Sequence, residues 1–387
     1  MVLLLLSPAA WAQTLTVWTP YQGPALAWLK AEAATFAAAT GRQLTVTSLK
    51  LGEIKQGTVE GANGAAFADV LVGIPQDQFS ALADAGLLAD LGDYVTDGYL
   101  AGLNEQARRA FRYRGALYGL PLSVQGPALI VDTRLVPHAP TSYQDLLKTA
   151  ASLTADGRFG FAFDVGNFYY AYAWLHTWGG AVFGRTPDGA PDPGRTELDT
   201  PASVAGAEAL RSLRFDAGVM PENTDYGSLH ALFLAGKLAM TYDGPWAVPS
   251  IRAAGVPIRV SAMPPGPDGQ PWSGFMNVDG VLVDSASADP VGAANLAKWL
   301  TTSAAQVALA RQAGMVPAAR AALAEMADDP VIAGFGAALA SAEAIPNVPA
   351  MGIVWGPMDR ALAKVLAGPD SDVAAALRTA AKKVAGE

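Results

Sequence analysis

Aromatic, amide and carboxylate side chains gather in four short segments of this 387-residue chain. The segments are residues 19–23, 73–78, 164–169 and 243–246, and together they contain Tyr, Trp, Asn, Gln and Asp. Flat aromatic faces suit the C–H face of a sugar ring, and planar amide or carboxylate groups pair with its hydroxyls. The mixture therefore favours a hydroxyl-rich ligand.

Residues for the common kinds of enzymatic chemistry form no recognisable pattern. His138, His176 and His230 do not stand at metal-ligand spacing, and the chain contains no cysteine. The G-x-S-x-G elbow is absent, and residues 235–238 lack the glycine and hydroxyl that a phosphate-binding loop needs. We therefore expect a protein that is not an enzyme and that uses no metal, nucleotide or other cofactor.

A glycoside hydrolase is the enzymatic alternative that the sequence leaves open. Such an enzyme needs two carboxylates across a cleft. Five aspartates near predicted loop ends could supply them: Asp77, Asp164, Asp225, Asp243 and Asp279. Most aspartates in such positions cap helices or turns, so binding without catalysis is the favoured interpretation.

Composition narrows the class of protein and of partner. Hydrophobic residues make up 51% of the chain, which is enough for one large domain or two ordinary ones. The net charge is -9 although charged residues are only 16%. A chain this acidic has no broad basic surface, so nucleic acid is not an expected partner.

The N-terminus resembles the end of an export signal. A short apolar run over residues 1–6 is followed by an Ala-x-Ala pattern at residues 10–12, which predicts cleavage after Ala12. No Lys or Arg precedes the apolar run, which departs from the usual pattern. A transmembrane anchor is the alternative, but Pro8, Gln13 and Pro20 interrupt the ~20 apolar residues that a span needs.

Strands and helices alternate along the chain. Alternating or apolar runs predict strands over residues 15–18, 44–47, 69–72, 129–132, 159–163, 238–242 and 280–283. Helical periodicity predicts helices over residues 24–40, 78–85, 142–151, 170–178, 202–217, 228–235 and 245–253, and an almost wholly helical chain beyond residue 288. We interpret residues 186–194 and 264–271 as surface loops. This alternation is typical of a parallel α/β architecture, in which ligands bind at the carboxyl ends of the strands, where the four polar and aromatic segments lie.

Two segments carry a resemblance to a known family. They are residues 239–246, with the sequence AMTYDGPW, and residues 346–351, with the sequence PNVPAM, followed by Val354 and Trp355. Both resemble the corresponding segments of the maltose/maltodextrin-binding proteins, the periplasmic receptors of ABC sugar importers. Weaker similarity extends over the rest of the chain after residue 12.

The resemblance implies a two-lobed α/β fold of the type II periplasmic-binding-protein class. Two discontinuous lobes would be joined by three crossover strands, which we expect near residues 121–125, 275–280 and 328–333. Residues 13–122 and 279–328 would form the N-terminal lobe. Residues 123–278 and 329–387 would form the C-terminal lobe, after a signal peptide over residues 1–12. Ligand would bind between the lobes and stabilise a closed form.

Residue by residue, the resemblance also implies a binding site. Tyr169, Trp246 and Trp355 occupy the positions of the family's aromatic platform. Asp77 stands where the family keeps an aspartate that binds sugar hydroxyls, and Gln78 replaces the family's arginine.

Several positions depart from the family's pattern. Gln125 replaces an acid of the first crossover, Asn167 replaces an acid beside the first aromatic residue, and Gly73 replaces an aromatic residue. The first loop has Tyr21 and Gln22 where an Asp-Lys pair is usual. We expect Tyr21 to supply part of the missing aromatic surface, and recognition to rely more on stacking because neutral hydrogen bonds contribute less than charged ones.

The resemblance implies a monomeric extracytoplasmic receptor, exported to the periplasm or beyond, that delivers maltose- or maltodextrin-type α-glucosides to the permease subunits of an ABC importer. The same fold with another disaccharide or polyol, such as trehalose, is the first alternative. A secreted glycoside hydrolase is the second.

Overall fold

A computed structural model describes residues 14–61, 67–187 and 189–387. The predicted signal peptide, residues 1–12, lies outside the described residues. Within the described ranges, no helix combines the length and the apolar character that crossing a membrane requires.

The strands of the described chain are numbered in chain order. They are β1 (Thr14–Thr19), β2 (Gln43–Ser48), β3 (Val70–Pro75), β4 (Arg112–Tyr113), β5 (Ala116–Leu117), β6 (Gly119–Gln125), β7 (Ala128–Asp132), β8 (Phe159–Ala162), β9 (Phe183–Arg185), β10 (Pro191–Thr196), β11 (Leu238–Asp243), β12 (Ile258–Ser261), β13 (Phe275–Val283), β14 (Val316–Pro317) and β15 (Glu343–Ala344).

The α-helices are numbered in the same way. They are α1 (Gly23–Thr40), α2 (Leu51–Gly61), α3 (Ser80–Asp84), α4 (Asp97–Ala101), α5 (Glu105–Ala110), α6 (Tyr143–Leu153), α7 (Phe168–Thr177), α8 (Pro201–Phe215), α9 (Tyr226–Leu234), α10 (Val248–Ala253), α11 (Pro290–Leu300), α12 (Ser303–Ala313), α13 (Arg320–Glu325), α14 (Pro330–Leu339), α15 (Met351–Val365) and α16 (Val373–Val384). A short 3-10 turn, Pro245–Ala247, precedes α10.

Two main sheets organise the described chain. The larger sheet has the order β14-β6-β13-β3-β1-β2, with β15 paired to β13. The smaller sheet has the order β12-β7-β11-β8. Strands β1, β2 and β3 are parallel, whereas β13 runs antiparallel to β3 and to β6. The predicted α/β class is confirmed, but the sheets are less parallel than the sequence predicts, since β7 is also antiparallel to β11 and to β12.

Helix α1 illustrates how the sequence builds these layers. Trp28, Leu29, Ala33 and Phe36 are buried on one face of the helix, which packs on the larger sheet. Gly41 ends the helix with φ +70°, a conformation in which glycine avoids the strain that a side chain would add. The predicted helix over residues 24–40 therefore lies within one residue of the observed one.

Two strands of the larger sheet lie where the first two crossovers are expected. Strands β6 and β13 pair with Gln125 opposite Asn277 and Ser123 opposite Asp279. The prediction of a third crossover strand near residues 328–333 is wrong, because these residues form a turn that leads into α14. Asp329 caps that helix and Pro330 begins it, a pairing of residues that favours a helical start over a strand.

Two further expectations from the sequence are wrong. Residues 186–194 are not only a loop, because β9 and β10 form an antiparallel hairpin there. Its strands contain Pro and Gly, whose composition favours a loop. The chain beyond residue 288 also includes the two-residue strands β14 and β15, which are too short to leave a periodic pattern and form by pairing with β6 and β13.

Candidate functional site

A cluster of aromatic rings forms around Phe275, at the start of β13. The Tyr172 ring stacks on Phe275 at 3.7 Å between centroids, and Tyr169 lies above it at 6.4 Å. Trp355 meets Phe275 edge-on at 5.8 Å and Phe168 at 6.1 Å. We call these five residues the Phe275 cluster. It joins α7, β13 and α15, which are far apart in the sequence.

Trp246 extends the Phe275 cluster towards solvent. Its ring lies 6.1 Å from that of Tyr169, and 39% of the residue is exposed. The indole folds back over Gly244, where an added Cβ would lie 2.2 Å from the ring. Glycine is therefore needed at that position for the ring to lie so close to the backbone.

The Asp243 carboxylate binds groups next to Trp246. Its Oδ1 accepts hydrogen bonds from the Gly244 backbone N–H at 2.7 Å and from the Tyr170 hydroxyl at 3.4 Å. Burial raises the pKa of Asp243 to about 7, and the hydrogen bonds from Gly244, Trp246 and Tyr170 lower it by less. Asp243 therefore fixes the backbone that carries Trp246.

The N-terminus of α7 is fixed by two side chains. Asn167 caps the helix, since its Oδ1 accepts from the Tyr169 backbone N–H at 3.0 Å. Asp359 on α15 accepts from the Phe168 N–H at 2.9 Å. These contacts position Tyr169, and the Asn167 amide nitrogen lies 3.5 Å from Asp164.

A buried carboxylate on β13, Asp279, faces the neighbouring strand β6. Asp279 is 4% exposed, and Gln125 donates a 2.7 Å hydrogen bond to its Oδ2. Ser123 Oγ donates to the same oxygen at 3.5 Å, and Asn277 donates to Oδ1 at 3.3 Å. Burial raises the pKa of Asp279 to about 7, and the neighbouring Asp77 adds to the shift.

Asp77 and Gln78 follow β3 at the same edge of the larger sheet. Gln78 Nε2 donates to the Asp77 carboxylate, and Lys55 on α2 donates to Gln78 Oε1 at 3.1 Å. Burial raises the pKa of Asp77, while Gln78 and Lys55 lower it by less. Lys55 therefore places a positive charge beside Gln78, the residue that replaces the family's arginine.

Tyr21 packs over Gly73. A Cβ on Gly73, whose φ is +76°, would lie 2.5 Å from the Tyr21 ring. The tyrosine thus fills the space above the residue that replaces an aromatic one, but it is only 8% exposed. Gln22, in contrast, is exposed at the start of α1.

Burial raises the pKa of the Tyr169 hydroxyl above its ordinary value, and the Tyr242 hydroxyl and the carboxylates of Asp279, Asp243 and Asp77 raise it further. In the described parts of the chain, no group of three or more His, Cys, Asp or Glu side chains is arranged to hold a metal ion.

The structure therefore brings most of the predicted residues to one region. Tyr169, Trp246 and Trp355 connect through the Phe275 cluster. Gln125 pairs with Asn277, two residues beyond Phe275, and Asp77 and Gln78 follow β3, which pairs with the same strand. Sequence reasoning missed Phe275 and gave Asp279 no role beyond a possible hydrolase acid. Phe275, Asn277 and Asp279 are alternate residues of the predicted crossover strand. Because alternate residues of a strand lie on one face, this spacing could have indicated Phe275 and Asp279.

Comparison with known proteins identifies the family. Residues 31–334 match the model of the bacterial extracellular solute-binding proteins. The chain belongs to this family. It is a family of solute-binding proteins rather than enzymes, so the glycoside hydrolase alternative is not supported.

Individual members of the family are similar over most of the chain. A solved structure of the Thermus thermophilus maltotriose-binding protein bound with maltotriose is 34% identical, with a TM-score of 0.81, and the match covers 96% of this chain and 99% of that one. The maltotriose-binding protein of Pyrococcus abyssi is 29% identical over 78% of this chain and 67% of its own length. The galactooligosaccharide-binding protein of Bacillus subtilis is 29% identical over 82% of this chain and 76% of its own.

The fold is accordingly the two-lobed type II fold of periplasmic sugar-binding proteins. The described chain likewise has two main sheets, and β6 and β13 pair within the larger one. In this solute-binding protein, the Phe275 cluster lies where the start of β13 meets α7, and Asp279 lies farther along the same strand.

Proposed function

We propose that this protein is an extracytoplasmic receptor that captures maltodextrin-type α-glucosides in the cleft between its lobes. The observation that carries the proposal is the aromatic surface that runs from Trp246 through Tyr169 to Phe275, on the same strand that carries the buried carboxylate of Asp279. Aromatic faces stack on the apolar faces of glucose rings, and carboxylates accept hydrogen bonds from hydroxyls. This combination fits a neutral, hydroxyl-rich ligand.

The aromatic residues would carry most of the contact area. We assign stacking of sugar rings to Trp246, Tyr169 and Trp355, because Trp246 is exposed, the other two are half-buried, and their rings connect through Phe275. Tyr21 would close the opposite side of the cleft from the larger sheet.

The polar residues would bind the hydroxyls. Asp77, Gln78 and Gln125 lie at the edge of the larger sheet and can accept or donate hydrogen bonds. Asn167 would contribute its amide N–H groups, since its oxygen is used in capping α7. Gln22 would contact the ligand from the exposed first loop.

The lobes would move about the crossovers. We assign residues 13–122 and 279–328 to the N-terminal lobe, and residues 123–278 and 329–387 to the C-terminal lobe. Ligand bound between them stabilises the closed form because it contacts both lobes at once.

Delivery to an importer follows from the family. We propose export by a signal peptide over residues 1–12, release as a monomer outside the cytoplasm, and docking of the closed form on the permease subunits of an ABC importer. The extracellular character of the family supports this location.

A thermal-shift panel on the chain from Gln13 tests the ligand class. Maltose, maltotriose, maltotetraose, trehalose and galactooligosaccharides are each added at millimolar concentration. A ligand that binds only the folded state raises its stability by RT ln(1 + [L]/Kd). Maltooligosaccharides are expected to raise Tm most, and an unchanged Tm with all of them would contradict the proposal.

A galactooligosaccharide or another disaccharide is the second candidate ligand. It is favoured by the 29% identity to the Bacillus subtilis galactooligosaccharide-binding protein over 82% of this chain. A larger Tm shift with galactooligosaccharide than with maltotriose would select it.

A further inference from the structure

Asp279 is a carboxylate that the fold buries without any cationic partner. No ion pair to it occurs within the described ranges, and its recorded hydrogen-bond donors, Gln125, Ser123 and Asn277, are all neutral. Burial of a carboxylate is costly unless hydrogen bonds satisfy its oxygens. Two of these donors share Oδ2 and one binds Oδ1, and a carboxylate offers about four acceptor positions. Oδ1 therefore retains capacity for a further donor.

A second buried group near Asp279, the Tyr21 hydroxyl, lacks a hydrogen bond of good geometry within the described residues. Burial raises its pKa most, the Asp279 carboxylate raises it further, and a contact with the Ser123 side chain lowers it. A buried hydroxyl without a partner costs free energy that a bound polar group recovers.

The charged and titratable groups around Asp279 come from three directions. Asp77 follows β3 and Tyr21 follows β1, two strands of the larger sheet. Tyr169 lies on α7. Lys55, the cation beside Asp77, donates its hydrogen bond to Gln78. The face is therefore negative, with hydrogen-bond acceptors in excess of donors.

We propose that Asp279 is a ligand-binding residue that selects neutral sugars, accepting a hydrogen bond from one sugar hydroxyl while the Tyr21 hydroxyl binds the same ring. The family has an acid at the position of Gln125 on β6. Here Gln125 donates to Asp279, so the anionic acceptor is on β13 instead. This inference rests on the proposed function. It extends that function by excluding anionic sugars, because a phosphate or carboxylate would face Asp77 and Asp279 without a free cation.

Calorimetric titration of maltotriose into Asp279→Asn tests the role. The variant keeps the shape of the side chain but loses the charge, and charge-assisted hydrogen bonds are the stronger ones. Its Kd should rise about tenfold to a hundredfold. Asp284→Asn is the matched control, because Asp284 is equally buried just beyond the opposite end of β13 and accepts from the Ala286 N–H at 2.8 Å. Its Kd should stay within about twofold of the wild type.

Two readouts separate ligand binding from a structural role. The Tm of Asp279→Asn without sugar should be unchanged or higher, since a buried charge is removed. The maltotriose affinity of the wild type should fall as pH drops below about 7, because the proton that Asp279 takes up occupies an acceptor oxygen. Asp279→Asn should flatten that part of the profile and leave the contributions of Asp77 and of Asp243, whose pKa burial also raises to about 7.

Tyr21→Phe provides a second test that does not depend on the buried charge. The ring over Gly73 is kept and only the unpartnered hydroxyl is lost, so affinity should fall about threefold to tenfold with Tm unchanged. Wild-type affinity in both Asp279→Asn and Tyr21→Phe overturns the inference and leaves the proposed function standing. Failure of the wild-type protein to bind any neutral sugar of the panel overturns both.

Discussion

At the scale of single residues, the two tryptophans of the proposed site differ in how much the fold depends on them. Trp246 is 39% exposed and rests on Gly244, whereas Trp355 is half-buried against Phe168 and Phe275. Stacking on an exposed ring contributes to binding without contributing much to the core. Truncation of the two should therefore separate affinity from stability.

Trp246→Ala should weaken maltotriose binding at least tenfold and leave the Tm of the sugar-free protein within a few degrees of the wild type. Trp355→Ala should weaken binding and also lower the free energy of unfolding by about 1–3 kcal/mol, because it removes part of the packing around Phe275. Calorimetry and urea unfolding measure the two effects. Equal losses of stability in both variants would contradict the assignment of Trp246 to the exposed surface.

The buried acid below Trp246 predicts a pH effect. Because the folded-state pKa of Asp243 is raised to about 7, the folded protein binds a proton that the unfolded chain releases above about pH 4. The contribution of Asp243 to stability is therefore lost as pH rises from about 4 to 7. Asp243→Asn should make the sugar-free protein less sensitive to pH over this range in thermal unfolding. A slope identical to that of the wild type would show that Asp243 does not carry the raised pKa.

At the scale of elements, one amide connects the segment after β15 to the larger-sheet side of the molecule. Asn347 Nδ2 donates to the carbonyl oxygens of Ala110 and Arg112, at 2.8 and 2.9 Å. This segment includes the PNVPAM sequence on which the family resemblance rests. The two hydrogen bonds therefore give that asparagine a structural role besides any contact with ligand.

Asn347→Ala should lower the free energy of unfolding by about 1–2 kcal/mol, since two carbonyls lose their donors. Asn223→Ala is the control, because Asn223 is exposed and its side chain makes only local hydrogen bonds. Urea unfolding compares the two variants. If Asn347→Ala were as stable as the control, the two hydrogen bonds of Asn347 would not stabilise the fold.

Much of the element order could be predicted from the sequence, because local patterns determine it. The helix over residues 24–40 and the strand over residues 238–242 agree with α1 and β11 to within one residue. The hairpin β9–β10 could not be predicted, since its residues favour a loop and only pairing makes them strands.

The site was predicted less completely than the fold. The family resemblance indicated Trp246, Tyr169 and Trp355, which the structure connects. The surroundings of Asp279 depend on a contact with Gln125, 154 residues earlier, and on the packing of Tyr21 over Gly73. Neither contact leaves a local pattern in the sequence.

At the scale of the whole molecule, the proposed function requires a two-lobed receptor that binds a neutral oligosaccharide between its lobes. Strands β6 and β13 pair in the larger sheet, with the Phe275 cluster at the start of β13 and Asp279 within that strand. A ligand there would contact both lobes and be enclosed by them. Binding should therefore stabilise the folded state and change the environment of Trp246 and Trp355 together.

Titration of maltotriose into the wild-type protein, followed by calorimetry and tryptophan fluorescence on the same sample, tests this claim most directly. We expect saturable binding of one maltotriose per chain, a matching change in fluorescence, and stabilisation of about 2.7 kcal/mol at a hundred times the Kd. Absence of heat and of a fluorescence change at millimolar maltotriose would contradict the account.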